Sequence, residues 1–231
     1  QHKIERADVI VCISNFTKTE VVNKLQLHGK ETEVIHNRVP VLDKSSGVPP
    51  DFEIKQPFFF TLGVVKKKKN FHTLLDLMKL CPDTHLYIVG DGADDEGNEY
   101  AMAMKERIER EGITNVSLHP PISHTEKIWM YQHCRAFLFP SLLEGFGIPV
   151  IEALQFGKPV FISEETSLKE IGSSHAYFWD NFEPQSMKNR IDSGLSEFDS
   201  NPRLAIEASE YADGFSTDRH FKEYERIYES L

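Results

Sequence analysis

Residues Ala136–Gln155 read AFLFPSLLEGFGIPVIEALQ, and the three parts of this stretch differ in physical character. Ala136–Pro140 is a short apolar and aromatic run that suits a buried strand. Ser141–Gly147 breaks the run with Gly145 and Gly147, which let the backbone come close to a ligand. Ile148–Gln155 reads as a helix, with Pro149 in its first turn, where a missing N–H costs nothing. A buried strand that feeds a helix through a glycine-bearing loop is part of a βαβ unit. Repeated, such units build a parallel sheet covered by helices on both faces.

The pattern repeats in both directions. Strand-like runs are expected at Phe58–Leu62, His85–Val89, Asn115–Leu118, Pro159–Ser163 and His175–Trp179. Helices are expected between them at Asn70–Leu80, Tyr100–Glu111, Thr125–Gln132 and Ser167–Ile171, then at Pro184–Leu195, Arg203–Ala212 and from Thr217 to the end. With Ala136–Gln155 these make one doubly wound α/β domain. An earlier unit comprises strand Asp8–Ser14, helix Asn15–Leu27 with apolar Val21, Val22 and Leu25, and strand Glu33–His36. Residues Asp43–Gln56, with prolines, serines and no periodicity, read as an irregular connection. The expected division is residues 1–38 as the last unit of a preceding Rossmann-like domain, 39–215 as the complete domain, and 216–231 as a terminal helix.

Composition narrows the function classes. The 231 residues carry a formal charge of −10, which argues against a nucleic-acid partner, since phosphate backbones are met by clustered Lys and Arg. Any phosphate site must be local. Three dispersed cysteines, Cys12, Cys81 and Cys134, read as reduced core residues of a cytosolic protein. Gln1–Ala7 is polar and has neither a signal peptide's apolar stretch nor a membrane-spanning run. The chain starts without Met and almost at a strand, and is expected to be a fragment of a longer protein.

A sheet ordered 3-2-1-4-5-6 opens its crevice where the order reverses, so the loops after its first and fourth strands face one ligand. The fourth-strand loop is Ser141–Gly147. Amides there and at the helix start at Ile148 would be free, at a helix end with partial positive charge, to hold a diphosphate without a metal ion. Glu144 and Glu152, read as a residue of that helix's first turn, offer carboxylates for the hydroxyls of a sugar or a ribose. The first-strand loop runs from Gly63-Val64 through the basic Lys66–Lys69. Lys69 stands out because it precedes Asn70, read here as an N-cap, and would stabilise charge on a departing nucleoside diphosphate. His119-Pro120-Pro121-Ile122, after the third strand, rims the same crevice at a place suited to base contact.

Other features are read as structural. The ten histidines form no HxH, HExxH or HxxxH pair, so no metal site is expected. Asp91–Glu96 lacks a calcium loop's spacing and reads as a solvated turn. No GxGxxG follows Phe58–Leu62, which counts against a nicotinamide dehydrogenase.

These residues resemble the retaining family 4 glycosyltransferases of the GT-B fold, in their second, donor-binding domain. The resemblance is carried by Ser14-Asn15-Phe16-Thr17, by Leu62-Gly63 through Lys69-Asn70, by Ile88-Val89-Gly90-Asp91-Gly92, and above all by Phe139–Ala153. It implies a hexosyltransferase that uses a GDP- or UDP-sugar, in the leading case mannosyl, and a glycan or lipid-linked acceptor. It further implies retention of configuration without a metal or other cofactor, and cytoplasmic placement with peripheral membrane contact through the first domain. Carried over by resemblance, Glu144 and Lys69 act in catalysis. Gly63, Val64, Ser141, Gly145, Phe146, Gly147 and Ile148 line the donor site, and Glu152 holds the ribose hydroxyls.

Two positions depart from the pattern. Val64 stands where many members carry Arg, and Arg38 stands where many carry the Gly of Asn-Gly-Val. Val64 and the missing acceptor half keep an alternative alive, a noncatalytic nucleotide-binding or scaffold module. A phosphorylase or a nucleotide-sugar epimerase would require a pyridoxal lysine site or a different acid arrangement, and neither is seen.

Overall fold

The computed structural model describes residue 4, residues 6–27 and residues 29–231. Most of the polar opening Gln1–Ala7 therefore lies outside the described residues. Two parallel sheets are present among the described residues. In the first, β1 (Val9–Cys12) pairs with β2 (Glu31–Val34) through α1 (Asn15–Leu25). The second has six strands, β3 (Phe58–Leu62), β4 (His85–Val89), β5 (Val116–His119), β6 (Ala136–Phe139), β7 (Val160–Ser163) and β8 (Tyr177–Trp179), in the order β5-β4-β3-β6-β7-β8. This is the expected doubly wound order, with its reversal between β3 and β6.

The helices are α2 (His72–Lys79), α3 (Glu99–Glu111), α4 (His124–His133), α5 (Ile148–Gln155), α6 (Leu168–Gly172), α7 (Pro184–Ser200), α8 (Arg203–Asp213) and α9 (Thr217–Ser230). Alternation along each strand sorts the core into two layers. Phe58, Phe60, Phe137, Phe139, Val160 and Ile162 pack with Ile128, Met130 and Tyr131 of α4 and Val150, Ile151 and Leu154 of α5. Phe59, Leu138 and Phe161 face the opposite layer, against Leu74, Leu75, Leu77 and Met78 of α2 and Met187 and Ile191 of α7. Each buried large side chain contributes about 1.5–3 kcal/mol, and these layers fix the strand ends that carry the site.

Around Asn37 the chain passes from the small sheet to the large one. The Val39 amide donates to the Phe215 carbonyl at 2.8 Å, and the Leu42 amide and Pro40 carbonyl are both held by the Gln155 side chain of α5. Cys12, Cys81 and Cys134 are free and buried. Burial pushes the Cys81 thiol up to about 11 and the Cys134 thiol up to about 12, so both stay protonated and inert.

Two local expectations are corrected. Asn70 is not an N-cap: it closes the 3-10 turn Lys67–Lys69 in the left-handed conformation, φ 58°, and α2 starts at His72. Asparagine tolerates that conformation better than most residues, and here this preference prevails over its capping tendency. Glu152 lies in the second turn of α5, not the first, on the face turned towards α4.

Candidate functional site

The loops after β3 and β6 are joined directly at the reversal point. The Leu142 amide donates to the Lys68 carbonyl at 2.8 Å, and the Ser141 hydroxyl reaches the same oxygen at 3.3 Å. The 3-10 turn folds Lys69 inward while Lys66, Lys67 and Lys68 stay exposed. The Lys69 ammonium pairs with the Glu144 carboxylate and lies 4.8 Å from the centre of the Phe139 ring, a cation–π contact. Only 10% of the Lys69 side chain and 13% of Glu144 are exposed, so the pair is largely desolvated.

Glu144 is held from several sides. Its carboxylate accepts from Ser141 Oγ at 2.6 Å, and its amide donates to Thr166 Oγ1 at 3.0 Å. Ser167 Oγ reaches the carbonyls of Glu144 and Phe146 at 3.0 and 2.9 Å, and Ser163 Oγ donates to the Ser141 carbonyl. Thr166 has φ 56°, a left-handed conformation that is costly for a β-branched residue. Sequence reading missed Ser163, Thr166 and Ser167. They stand at the end of β7 and in the loop after it, and meet Ser141, Glu144 and Phe146 only once that loop is packed.

Gly147 adopts φ 116°, and a Cβ there would meet Leu168 Cδ2 at 2.8 Å, so the turn into α5 requires glycine. The amides of Gly145, Phe146, Gly147 and Ile148 donate to no acceptor among the described residues. They form a cluster of donors beside the ion pair. On the outer side, the hydroxyls of Ser14 and Thr17 donate to the Gly145 carbonyl at 2.9 and 3.2 Å, tying α1 to the glycine loop.

Glu152 belongs to a separate group. Lys127 Nζ lies 2.5 Å from its Oε1, and the Tyr131 hydroxyl donates to its Oε2 at 3.0 Å. Burial first, then the neighbouring Glu152 charge, pushes the Tyr131 phenol far up, so it remains a donor. Gly63 sits by the Lys69 stem, where a Cβ would lie 3.4 Å from Cε. Val64 lines an open cavity of about 470 Å³ with Asp91, Asn98 and Tyr100. Pro120 and Pro121 are exposed, Ile122 packs against the core, and none of the three bonds to the Lys69–Glu144 group among the described residues. Nor do three His, Cys, Asp or Glu side chains cluster to hold a metal ion among the described residues.

The family model of glycosyl transferases group 1 matches residues 49–211, well over half of the chain. The chain belongs to that family. Among the relatives of this group 1 glycosyltransferase chain is the O-antigen chain mannosyltransferase RfbU of Salmonella typhimurium. It is 25% identical over 189 residues, covering 81% of this chain and 51% of RfbU. The lipopolysaccharide core biosynthesis mannosyltransferase LpsB of Rhizobium meliloti is 24% identical over 246 residues, covering 99% of this chain and 67% of LpsB. The chain thus spans about half the length of RfbU. Anabaena Alr3699/HepE, crystallised with UDP and glucose, matches the fold with a TM-score of 0.79 at 18% identity, over 97% of this chain and 64% of that one. The likeness shows that the group 1 chain has the parallel-sheet fold of GT-B glycosyltransferases.

Proposed function

We propose that the protein transfers a hexosyl group, mannosyl in the leading case, from a GDP- or UDP-sugar to a glycan or lipid-linked acceptor. One observation carries the reading: Lys69 and Glu144 meet at the sheet's reversal point beside the free amides of Gly145–Ile148. The amides and the Lys69 ammonium take the diphosphate, Glu144 takes sugar hydroxyls, and Glu152 takes the ribose diol.

In the proposed step the bond between the anomeric carbon and the phosphate oxygen breaks. A bond from the acceptor oxygen to that carbon forms on the same face, and the acceptor's proton passes to the leaving phosphate oxygen. Lys69 stabilises the charge that grows on the diphosphate. The proposal uses no metal or other cofactor, and retention rests on the resemblance to family 4. Gly63, Val64, Ser141, Phe146 and Ile148 line the donor, and Pro120, Pro121 and Ile122 meet the base. Residues 1–38 and the α9 segment 216–231 are assigned to packing with an acceptor-side domain of the longer protein. No described helix is long and apolar enough to cross a membrane. A place at the cytoplasmic face, reached through the rest of the protein, completes the proposal.

The mannosyltransferase relatives support the choice of sugar. The test is transfer from GDP-mannose and from UDP-sugars by the full-length protein, with the product anomer read by NMR. Transfer with an unchanged anomeric configuration is expected, and inversion would refute the mechanism. Val64 favours a second reading, a noncatalytic nucleotide-binding module, which tight nucleotide binding without transfer by the full-length protein would establish.

A further inference from the structure

Glu152 is buried deeply enough that it needs compensation, with 8% of its side chain exposed. Both compensating donors come from one face of α4. Lys127 and Tyr131, four residues apart, take Oε1 and Oε2 respectively, and Tyr131 also reaches the Pro149 carbonyl at 3.3 Å. Each carboxylate oxygen has two lone pairs, so one remains on each after these bonds. The remaining pair of acceptors is what a vicinal diol requires. Lys127 is the more accessible partner, with 19% of its side chain exposed, whereas Tyr131 is fully buried. α4 follows Pro120-Pro121-Ile122 after the N-cap Ser123, so one short segment carries both the expected base contact and the two partners of the Glu152 carboxylate.

We propose that Lys127 sets the ribose selectivity of the nucleotide site by locking the Glu152 carboxylate in one orientation and cancelling its charge. The proposal rests on the reading of Glu152 as the ribose acceptor. Lys127 acts through Glu152 and is a positioning residue. With its ammonium in place the group is neutral overall, and a diphosphate can settle nearby without repulsion. Without it, the carboxylate keeps only Tyr131, is free to turn, and faces the diphosphate as a bare negative charge. A purely structural Lys127 would affect stability and leave the preference between ribose and deoxyribose unchanged.

The test is calorimetric titration of the chain with UDP, GDP and their 2′-deoxy counterparts, with folding checked by circular dichroism. Wild type is expected to favour the ribose forms about 10-fold or more, the scale of hydrogen bonds to a charged group. Lys127→Met should reduce that preference to about 3-fold or less, and Lys127→Arg should restore most of it. Should Lys127→Met not fold, Lys127→Gln keeps a donor without the charge and should lose part of the preference. A folded Lys127→Met or Lys127→Gln variant with the full wild-type preference overturns the proposal. Equal binding of ribose and deoxyribose forms by wild type and by Glu152→Gln defeats the Glu152 reading itself, and absence of all nucleotide binding defeats both.

Discussion

Lys69 and Glu144, 75 positions apart in the chain, meet as an ion pair where the sheet reverses its strand order. Neither residue is informative alone. Their meeting depends on β3 and β6 being neighbours and on the 3-10 turn that folds one lysine of four inward. Since the pair is largely desolvated, loss of one partner leaves an uncompensated charge. Lys69→Ala should lower stability by about 3 kcal/mol. Lys69→Ala combined with Glu144→Gln should recover part of that loss, as urea unfolding would show. A loss in the double variant equal to the sum of the losses in Lys69→Ala and in Glu144→Gln alone would mean that the pair is uncoupled.

Thr166 combines a strained backbone with a hydrogen bond to the Glu144 amide. Thr166→Gly relieves about 1 kcal/mol of strain and gives up a bond of about 1 kcal/mol, so thermal unfolding should shift little. Transfer by the full-length protein should still fall about 10-fold, because Glu144 loses the contact that positions it. Activity unchanged alongside unchanged stability would show that Thr166 does not position the loop.

Two groups give the fold separate pH sensitivities. Burial first, then Lys55 and His119, lowers His85 to about 4, so it is neutral in the folded protein while the unfolded chain binds a proton near pH 6.5. Stability is therefore fully present above about 6.5 and falls with pH towards 4. Glu170 acts lower. Burial alone would raise its carboxyl, but hydrogen bonds from His36 and from the Asn15 amide and side chain outweigh burial and hold it below its ordinary value. Its contribution is present above the ordinary glutamate range, near 4.3, and is lost as pH falls through the folded value. In urea titrations at stepped pH, His85→Gln should flatten the upper slope and Glu170→Gln only the lower one.

Gly90, at the end of β4, lies against the first-strand loop. A Cβ there would stand 2.0 Å from the Gly63 carbonyl oxygen, and backbone offers no easy escape. Gly90→Ala should cost more than about 3 kcal/mol and weaken nucleotide binding, because it displaces the Gly63 backbone that lies beside the Lys69 stem. A melting curve like that of wild type would contradict this.

Much of this was legible in the sequence where local pattern and tertiary demand agree. Phe58–Leu62, His85–Val89 and Ile148–Gln155 have the bounds their composition suggests, because continuous apolar runs between turn residues leave few choices. The strand order is the usual one for a doubly wound sheet, which the βαβ succession is consistent with but does not dictate. Asn70 departs from the expected N-cap because two of its preferences compete and only the loop's path decides between them. Thr166 was not legible as a partner of Glu144, nor Lys127 and Tyr131 as partners of Glu152, because those contacts exist only once α4, α5 and the loop after β7 are packed. Hydroxyl and lysine side chains carry no local mark of such pairing.

In the proposed site the loops after β3 and β6 hold a nucleoside diphosphate. Calorimetric titration of the chain with GDP, UDP, ADP and NAD, repeated for Lys69→Ala and Glu152→Ala, probes that binding. Binding of one nucleoside diphosphate, weakened about 10-fold or more by each substitution, is the predicted result. A folded chain that binds none of them, or that binds one equally well after both substitutions, would contradict it.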